Sequence, residues 1–440
     1  MRIHTHDPRE HIRGVHQILI NNKKRIGFLF GAGSSCTNAT GISTIGVPVI
    51  GQMTKLIEKE AADHSAEFAN AVQQIQQEIE NRKPPFNIFN IESLLSSIEA
   101  KREVIGNGNL NGLDSAGFKT LANLVKDNIV KLVSVHEDFK SEDRATLAHS
   151  KFSSWVSNAR RSYPVEIFTT NYDYLFEIAL EGLGIPYFDG FSGSYEPFFC
   201  PEAVEDIDAY LHLVKLWKMH GSLGWVFRES DKAVIRKQAN TVESDDESIL
   251  IYPSHLKYNA SKKQPYVGLI DRLCTFLQQD DAVLITCGYS FGDSHINERI
   301  ATSLRRGANS HVIAMYYDKH GEENNPLYGL ADEKDGVREM ATNGTKGKMS
   351  VYGLRHAVIG GKFGKWKLRD EPKKDEVIQV DQYFDEDGAI PSDETGEYKG
   401  NEKWEGTGEF RLPDFCKLSE FLNGLSSSKD ASGAENQYET

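Results

Sequence analysis

Four short stretches of this 440-residue chain combine glycine with residues able to hold anions or move protons. Gly31-Ala32-Gly33-Ser34-Ser35 directly follows the apolar run at 26–30. Glycines there let backbone N–H groups approach a pyrophosphate, and the N-terminus of a following helix favours its negative charge. The same pattern also makes a plain strand-to-helix turn. A dehydrogenase fingerprint, GxGxxG, wants glycine at position 36, where Cys36 stands, and no strand-ending acid follows about twenty residues later. Hydride transfer is therefore disfavoured.

The second stretch, Thr169-Thr170-Asn171-Tyr172-Asp173, sets an amide and a carboxylate two residues apart after an apolar run. Asn171 suits a sugar hydroxyl or an attacking water. Asp173 suits either a sugar hydroxyl or the N-cap of a helix over 174–180. In Lys218-Met219-His220-Gly221-Ser222 a histidine stands beside a glycine that clears space. Histidine is the side chain whose ordinary pKa allows proton transfer near neutrality, although a lone histidine is more often structural. The fourth stretch, Gly288-Tyr289-Ser290-Phe291-Gly292-Asp293, is a glycine-bounded loop able to receive a ribose or a base, or simply to lead into a helix at 294–304.

These stretches need a scaffold that brings them together. Short β-rich runs at 26–30, 165–169, 217–219, 249–252, 282–287 and 312–316 are spaced as the strands of a buried parallel sheet. Ligands of such sheets bind beyond the carboxyl ends of the strands, where the four stretches lie. An amphipathic helix over 8–22 presents Ile12, Val15, Ile18 and Leu19 on one face. Residues 50–160 read as a mainly helical insertion with three apolar stripes. These are Met53, Leu56 and Ile57; Ile91, Leu94, Leu95 and Ile98; and Phe118, Leu121, Leu124, Val125, Ile129 and Leu132, all expected in ordinary core packing.

Composition bounds the function. Hydrophobic residues make up 39% and charged residues 26%, as in a folded soluble protein. No apolar run approaches the ~20 residues that span a bilayer. The polar N-terminus is not a secretory signal, which points to the cytoplasm. Five scattered cysteines with no CxxC pair argue against a disulfide framework or a cysteine-rich zinc site. Net charge is −14, and residues 370–440 hold 19 acidic and 7 basic residues, a local −12 that leaves about −2 for the rest. An acidic tail on a nearly neutral body gives no electrostatic reason to bind nucleic acid directly. We expect one domain over 1–366 and an acidic extension over 367–440, extended or partly ordered to 410, with a short helix near 414–425 and a disordered end.

Taken in order, GAGSS, TTNYD, MHGSLG and CGYSFGD resemble the sirtuin-like domain over roughly residues 20–320. NIESLLSSIE and ILIYPSHLKY resemble the bacterial branch found in antiphage defence, most of all the stand-alone subunit that pairs with a HerA-type ATPase. The resemblance implies a Rossmann-like α/β fold with a helical insertion in place of the zinc module of deacetylase sirtuins, so deacylation is not expected and no metal is required. It implies NAD as substrate and cleavage of its nicotinamide–ribose bond. Asn171 would orient the ribose or water, His220 would act as general base or hold a ribose hydroxyl, and Asp173 would support that geometry. Gly31, Ala32, Gly33 and Ser35 would cradle the phosphates. Gly288, Ser290 and Asp293 would hold the distal ribose. Thr170, also assigned to NAD binding, stands where many sirtuins carry glutamine, so the nicotinamide pocket cannot be carried over in detail. A homo-oligomer, or a partner ATPase that controls access to the site, is expected by the same resemblance. The competing readings are a non-hydrolysing NAD or ADP-ribose sensor, an NAD-dependent deacylase or ADP-ribosyltransferase, and an interaction subunit whose acidic tail serves assembly.

Overall fold

The computed structural model describes residues 4–36, 39–42, 44–83, 88–159, 161–206, 210, 212–228, 230–237, 247–250, 264–307, 309–318, 329–332, 335–373, 376–387 and 404–433. Its centre is a ten-stranded sheet. Six parallel strands form the middle: β2 (Arg25–Phe30), β3 (Glu166–Thr169), β7 (Val214–Lys218), β11 (Ala282–Cys287), β12 (His311–Met315) and β13 (Met349–Tyr352). Their order across the sheet is β7-β3-β2-β11-β12-β13. The chain thus runs outward from β2 on one side, then returns to lay down β11 on the other. This is the doubly wound, Rossmann-like order, and its switch point lies between β2 and β11. β4 (Tyr187–Phe188) extends one edge in parallel. β14 (His356–Ile359), β15 (Lys362–Trp366) and β1 (His4–His6) extend the other, with β13, β14 and β15 antiparallel.

Alternation along the strands explains why helices cover both faces. In β2, Phe28 and Phe30 enter one core while Leu29 enters the other; in β11, Val283, Ile285 and Cys287 oppose Ala282 and Leu284 in the same way. Helices Pro8–Ile20, Ala148–Asn158 and Leu175–Gly182 contribute to the first face, and Tyr266–Gln278 and Ser294–Arg306 to the second. Phe28 meets Phe152 edge-on at 4.9 Å between ring centroids, an arrangement that adds to simple burial.

The insertion between β2 and β3 is helical, with Ile50–His64, Ala66–Glu80, Ile91–Val104 and Ser115–Val133 around a core of their own. That core also takes Leu175 and Leu223, so the insertion is seated against the loops after β3 and β7. Its stripes are buried with exceptions: Leu56 is 42% exposed, and Leu124 and Leu132 are half-buried.

Two differences from the sequence reading have local causes. Residues 249–252 were expected in the parallel sheet. Instead β10 (Glu247–Leu250) pairs antiparallel with β8 (Gly221–Arg228) in a separate five-stranded sheet with β9 (Ala233–Arg236), β6 (Phe198–Phe199) and β5 (Phe191–Ser192). A short apolar run does not reveal its partner, and positions 251–252 lie outside the described residues. The acidic extension also contributes buried residues to the first core. β16 (Phe384–Glu386) and β17 (Gly408–Phe410) form a hairpin, and helix Phe415–Gly433 packs on Ala148–Asn158. Phe384, Phe410, Leu412, Phe415, Leu418, Phe421 and Leu422 are buried in the first core, interleaved with the acids that dominate the composition. No helix among the described residues is long and apolar enough to cross a membrane.

Candidate functional site

The four glycine-bearing loops follow β11, β2, β3 and β7, four consecutive parallel strands, so the sheet delivers them side by side along its carboxyl edge. Each is tied to its neighbour. Gly31 N–H donates to Cys287 O (3.3 Å) and Gly33 N–H to Gly288 O (2.9 Å). A Cβ on Gly31 would stand 2.7 Å from Gly288 O, one on Gly33 2.7 Å from Gly288 Cα, and one on Gly288, whose φ is +65°, would collide with Ser34 N. The glycines of the first and fourth loops are thus required by their mutual approach at the switch point.

The first loop becomes a single 3-10 turn, Ala32–Ser34, and the next helix starts only at Ile50. The expected helix N-terminus is therefore not at this loop; Gly46 and Pro48 lie in the irregular connection that delays it. The N–H groups of Gly31, Gly33, Ser34 and Ser35 all donate within the protein. Of the five residues, the exposed Ala32 offers the remaining N–H among the described residues.

Asn171 joins the second loop to the first. Buried at 8% exposure, its Nδ2 donates to Gly31 O (3.0 Å), Ser34 Oγ (3.1 Å) and Ser35 Oγ (2.7 Å). Thr170, half-buried, donates its N–H to Phe30 O (3.1 Å). Asp173 Oδ1 accepts from Leu175 N–H (3.1 Å), serving the start of helix Leu175–Gly182, one residue later than the sequence suggested. Beneath this loop the buried Lys218 Nζ donates to the carbonyls of Tyr172 (3.2 Å) and Asp173 and pairs with Glu177 Oε1 (2.8 Å). Burial drives the Glu177 carboxyl pKa upward, opposed by the Lys218 charge. The second and third loops meet through Leu223 N–H to Tyr172 O (3.1 Å) and Ser222 Oγ to Tyr172 O (3.4 Å).

The third and fourth loops close the ring. His220 Nε2 lies 3.2 Å from Asp293 Oδ2, both side chains about 10% exposed. β7 and β11 are separated by β3 and β2, three inter-strand spacings or ~14 Å, so the two loops reach over the first and second to meet. Asp293 divides its oxygens. Oδ1 accepts from His295 N–H (3.0 Å) and Ile296 N–H (3.2 Å), capping helix Ser294–Arg306, while Oδ2 faces the imidazole. The fourth loop is held rigidly. Phe291 has φ +56°, uncommon for a bulky residue, and is fixed by Asn297 Nδ2 donating to its carbonyl (2.6 Å), with Tyr289 Oη on Asn297 Oδ1 (3.0 Å). Ser290 is exposed and among the described residues bonds within this loop, accepting from Gly292 N–H (3.3 Å).

Sequence reasoning missed Ser34 and Lys218 as supports of the site, and the pairing of Asp293 with His220. No local pattern signals these: the partners meet only because the strand order is β7-β3-β2-β11. Among the described residues no three His, Cys, Asp or Glu side chains group as a metal site.

A model of the SIR2-like domain family matches residues 165–338, which include the second, third and fourth loops. No curated protein matches the chain. Among solved structures, the crystal structure of a Sir2 homologue in complex with NAD is similar at 13% identity, covering 72% of this chain and 86% of that one with a TM-score of 0.32.

Proposed function

We propose that this chain hydrolyses NAD at the nicotinamide–ribose bond, giving nicotinamide and ADP-ribose. The observation that carries the reading is the meeting of His220 and Asp293 above the Asn171-bonded loops at the switch point of a doubly wound sheet. The SIR2-like match over three of the four loops supports it.

The chemistry asks little of the protein beyond placement. Nicotinamide in NAD is a cationic leaving group: when the C1′–N bond breaks, its electron pair neutralises the ring nitrogen and no general acid is needed. The site must stabilise an oxocarbenium-like ribose and present a water to C1′. His220 takes the proton that this water loses, and the Asp293 carboxylate favours the imidazolium that forms. Asn171 holds the loop on which the ribose rests, with Asp173 and Thr170 shaping that loop. The exposed Ala32 N–H serves the phosphates, framed by Gly31, Gly33 and Ser35, and the exposed Ser290 with Gly288 serves the distal ribose. Unchecked NAD loss is lethal, so restraint by oligomerisation or by a HerA-type ATPase, as in antiphage defence, belongs to the same proposal.

Incubating the purified chain with NAD, alone and with a HerA-type ATPase, and separating products by chromatography tests this. The proposal expects nicotinamide with ADP-ribose, and a loss of ~100-fold or more in Asn171→Ala. A cyclic product would replace water by an adenine nitrogen as the acceptor. An Asn171→Ala rate equal to wild type would remove that residue from the mechanism.

A further inference from the structure

A cleft of about 290 Å³ opens at the amino-terminal end of β3, β4 and β7, opposite the four loops. Val165, Ile185 and Val214 give it buried apolar walls, and Arg161, Tyr163 and His212 supply polar groups. No aspartate or glutamate lines it among the described residues.

Arg161 is the unusual member. Its Nη1 donates to Leu19 O (2.7 Å) and its Nη2 to Asn21 O (2.7 Å) and Lys24 O (2.9 Å), carbonyls at and just beyond the end of helix Pro8–Ile20. Those bonds engage three of the five N–H donors of a guanidinium. Among the described residues Nε is buried with no acceptor, and no carboxylate pairs with the side chain. Burial alone lowers its pKa to about 10. The side chain is half-buried, and the carbonyl dipoles at the helix end offset only part of its charge. Here a full negative complement is missing among the described residues, beside a cleft of mixed polar and apolar lining large enough for a small ring.

We propose that this cleft binds a small organic oxyanion, a carboxylate or phosphate on a compact apolar body, with its charge set against Arg161 and its body against Val165, Ile185 and Val214. Guanidinium is the side chain best matched to both oxyanions.

Calorimetric titration of the full chain with phenyl phosphate, benzoate and the neutral benzamide tests this. The first two separate phosphate from carboxylate preference. Saturable 1:1 binding of at least one anion is expected, weakened ~10-fold or more in Arg161→Gln. Ser157→Trp, at an exposed position of the cleft lining, leaves the Arg161 bonds in place and should weaken binding as much by filling the mouth. Absence of anion binding, equal binding to folded Ser157→Trp, or benzamide binding as tightly as the anions would overturn the proposal. None of these outcomes bears on NAD cleavage, whose residues lie at the other end of the strands.

Discussion

Asp293 holds a helix with one carboxylate oxygen and faces His220 with the other. Asparagine caps a helix as well as aspartate does, so Asp293→Asn should keep the fold while removing the charge opposite the imidazole. We expect kcat for nicotinamide release to fall ~100-fold with KM changed less than about threefold. A rise in KM with kcat intact would instead make Asp293 a substrate-binding residue. That Asn171, His220 and Asp293 gather beyond the carboxyl ends of the sheet was legible, because the loops after consecutive parallel strands share that edge. Their partnerships were not. The sequence suggested a ribose-binding Asp293, yet the acid of the fourth loop faces the histidine of the third, a contact decided by strand order. Asn171 is likewise committed to Gly31, Ser34 and Ser35 through its amide nitrogen.

The interlocked glycines make the β2 and β11 loops one unit. Gly288 has φ +65°, and its Cβ would strike Ser34 N, a backbone atom that cannot rotate away. Gly288→Ala should therefore destabilise the protein by more than ~2 kcal/mol in denaturant unfolding, well beyond the ordinary cost of alanine for glycine. Gly106, in open space at the surface with φ +56°, is the control for φ strain alone and should cost less. Four of the six central strands were readable because buried parallel strands are largely apolar, β11 falling at the expected 282–287; β7, with its two lysines, was read only over 217–219, and β13 was not read. Residues 249–252 carried the same signal, and only pairing with β8 distinguishes an antiparallel strand from a parallel one. The helix stripes were readable from period alone, with Leu56 showing that one apolar position in a stripe can still face solvent.

Composition was the poorest guide to the C-terminal region, because its charges mask a regular set of buried side chains. Phe410, Leu412, Phe415, Leu418, Phe421 and Leu422 are each at most 4% exposed. At ~1.5–3 kcal/mol per side chain their burial is worth ~9–18 kcal/mol, comparable with the whole stability of a domain. Deleting residues 404–440 should therefore abolish cooperative folding, whereas a dispensable tail would leave the melting transition unchanged. The same helix contact creates a pH dependence. His149 is fully buried between Phe176 and Phe415, neither ring nitrogen has a partner among the described residues, and burial lowers its pKa to about 3. Because the folded value lies below the unfolded ~6.5, the unfolded state takes up the proton first as pH falls. Stability from neutral His149 is intact above pH ~6.5 and is lost progressively below it, at ~1.4 kcal/mol per unit, or ~2 kcal/mol by pH 5. Denaturant midpoints should show this decline in the wild type and a shallower one in His149→Phe.

The proposed activity stands on His220, and the most direct measurement is nicotinamide release from NAD by the purified chain and by His220→Ala, with and without a HerA-type ATPase. We predict release by the wild type in at least one of these conditions and its loss in a folded His220→Ala protein. Release by His220→Ala at the wild-type rate would contradict the mechanism, and NAD binding with no release under either condition would mark the protein as a sensor of the nucleotide.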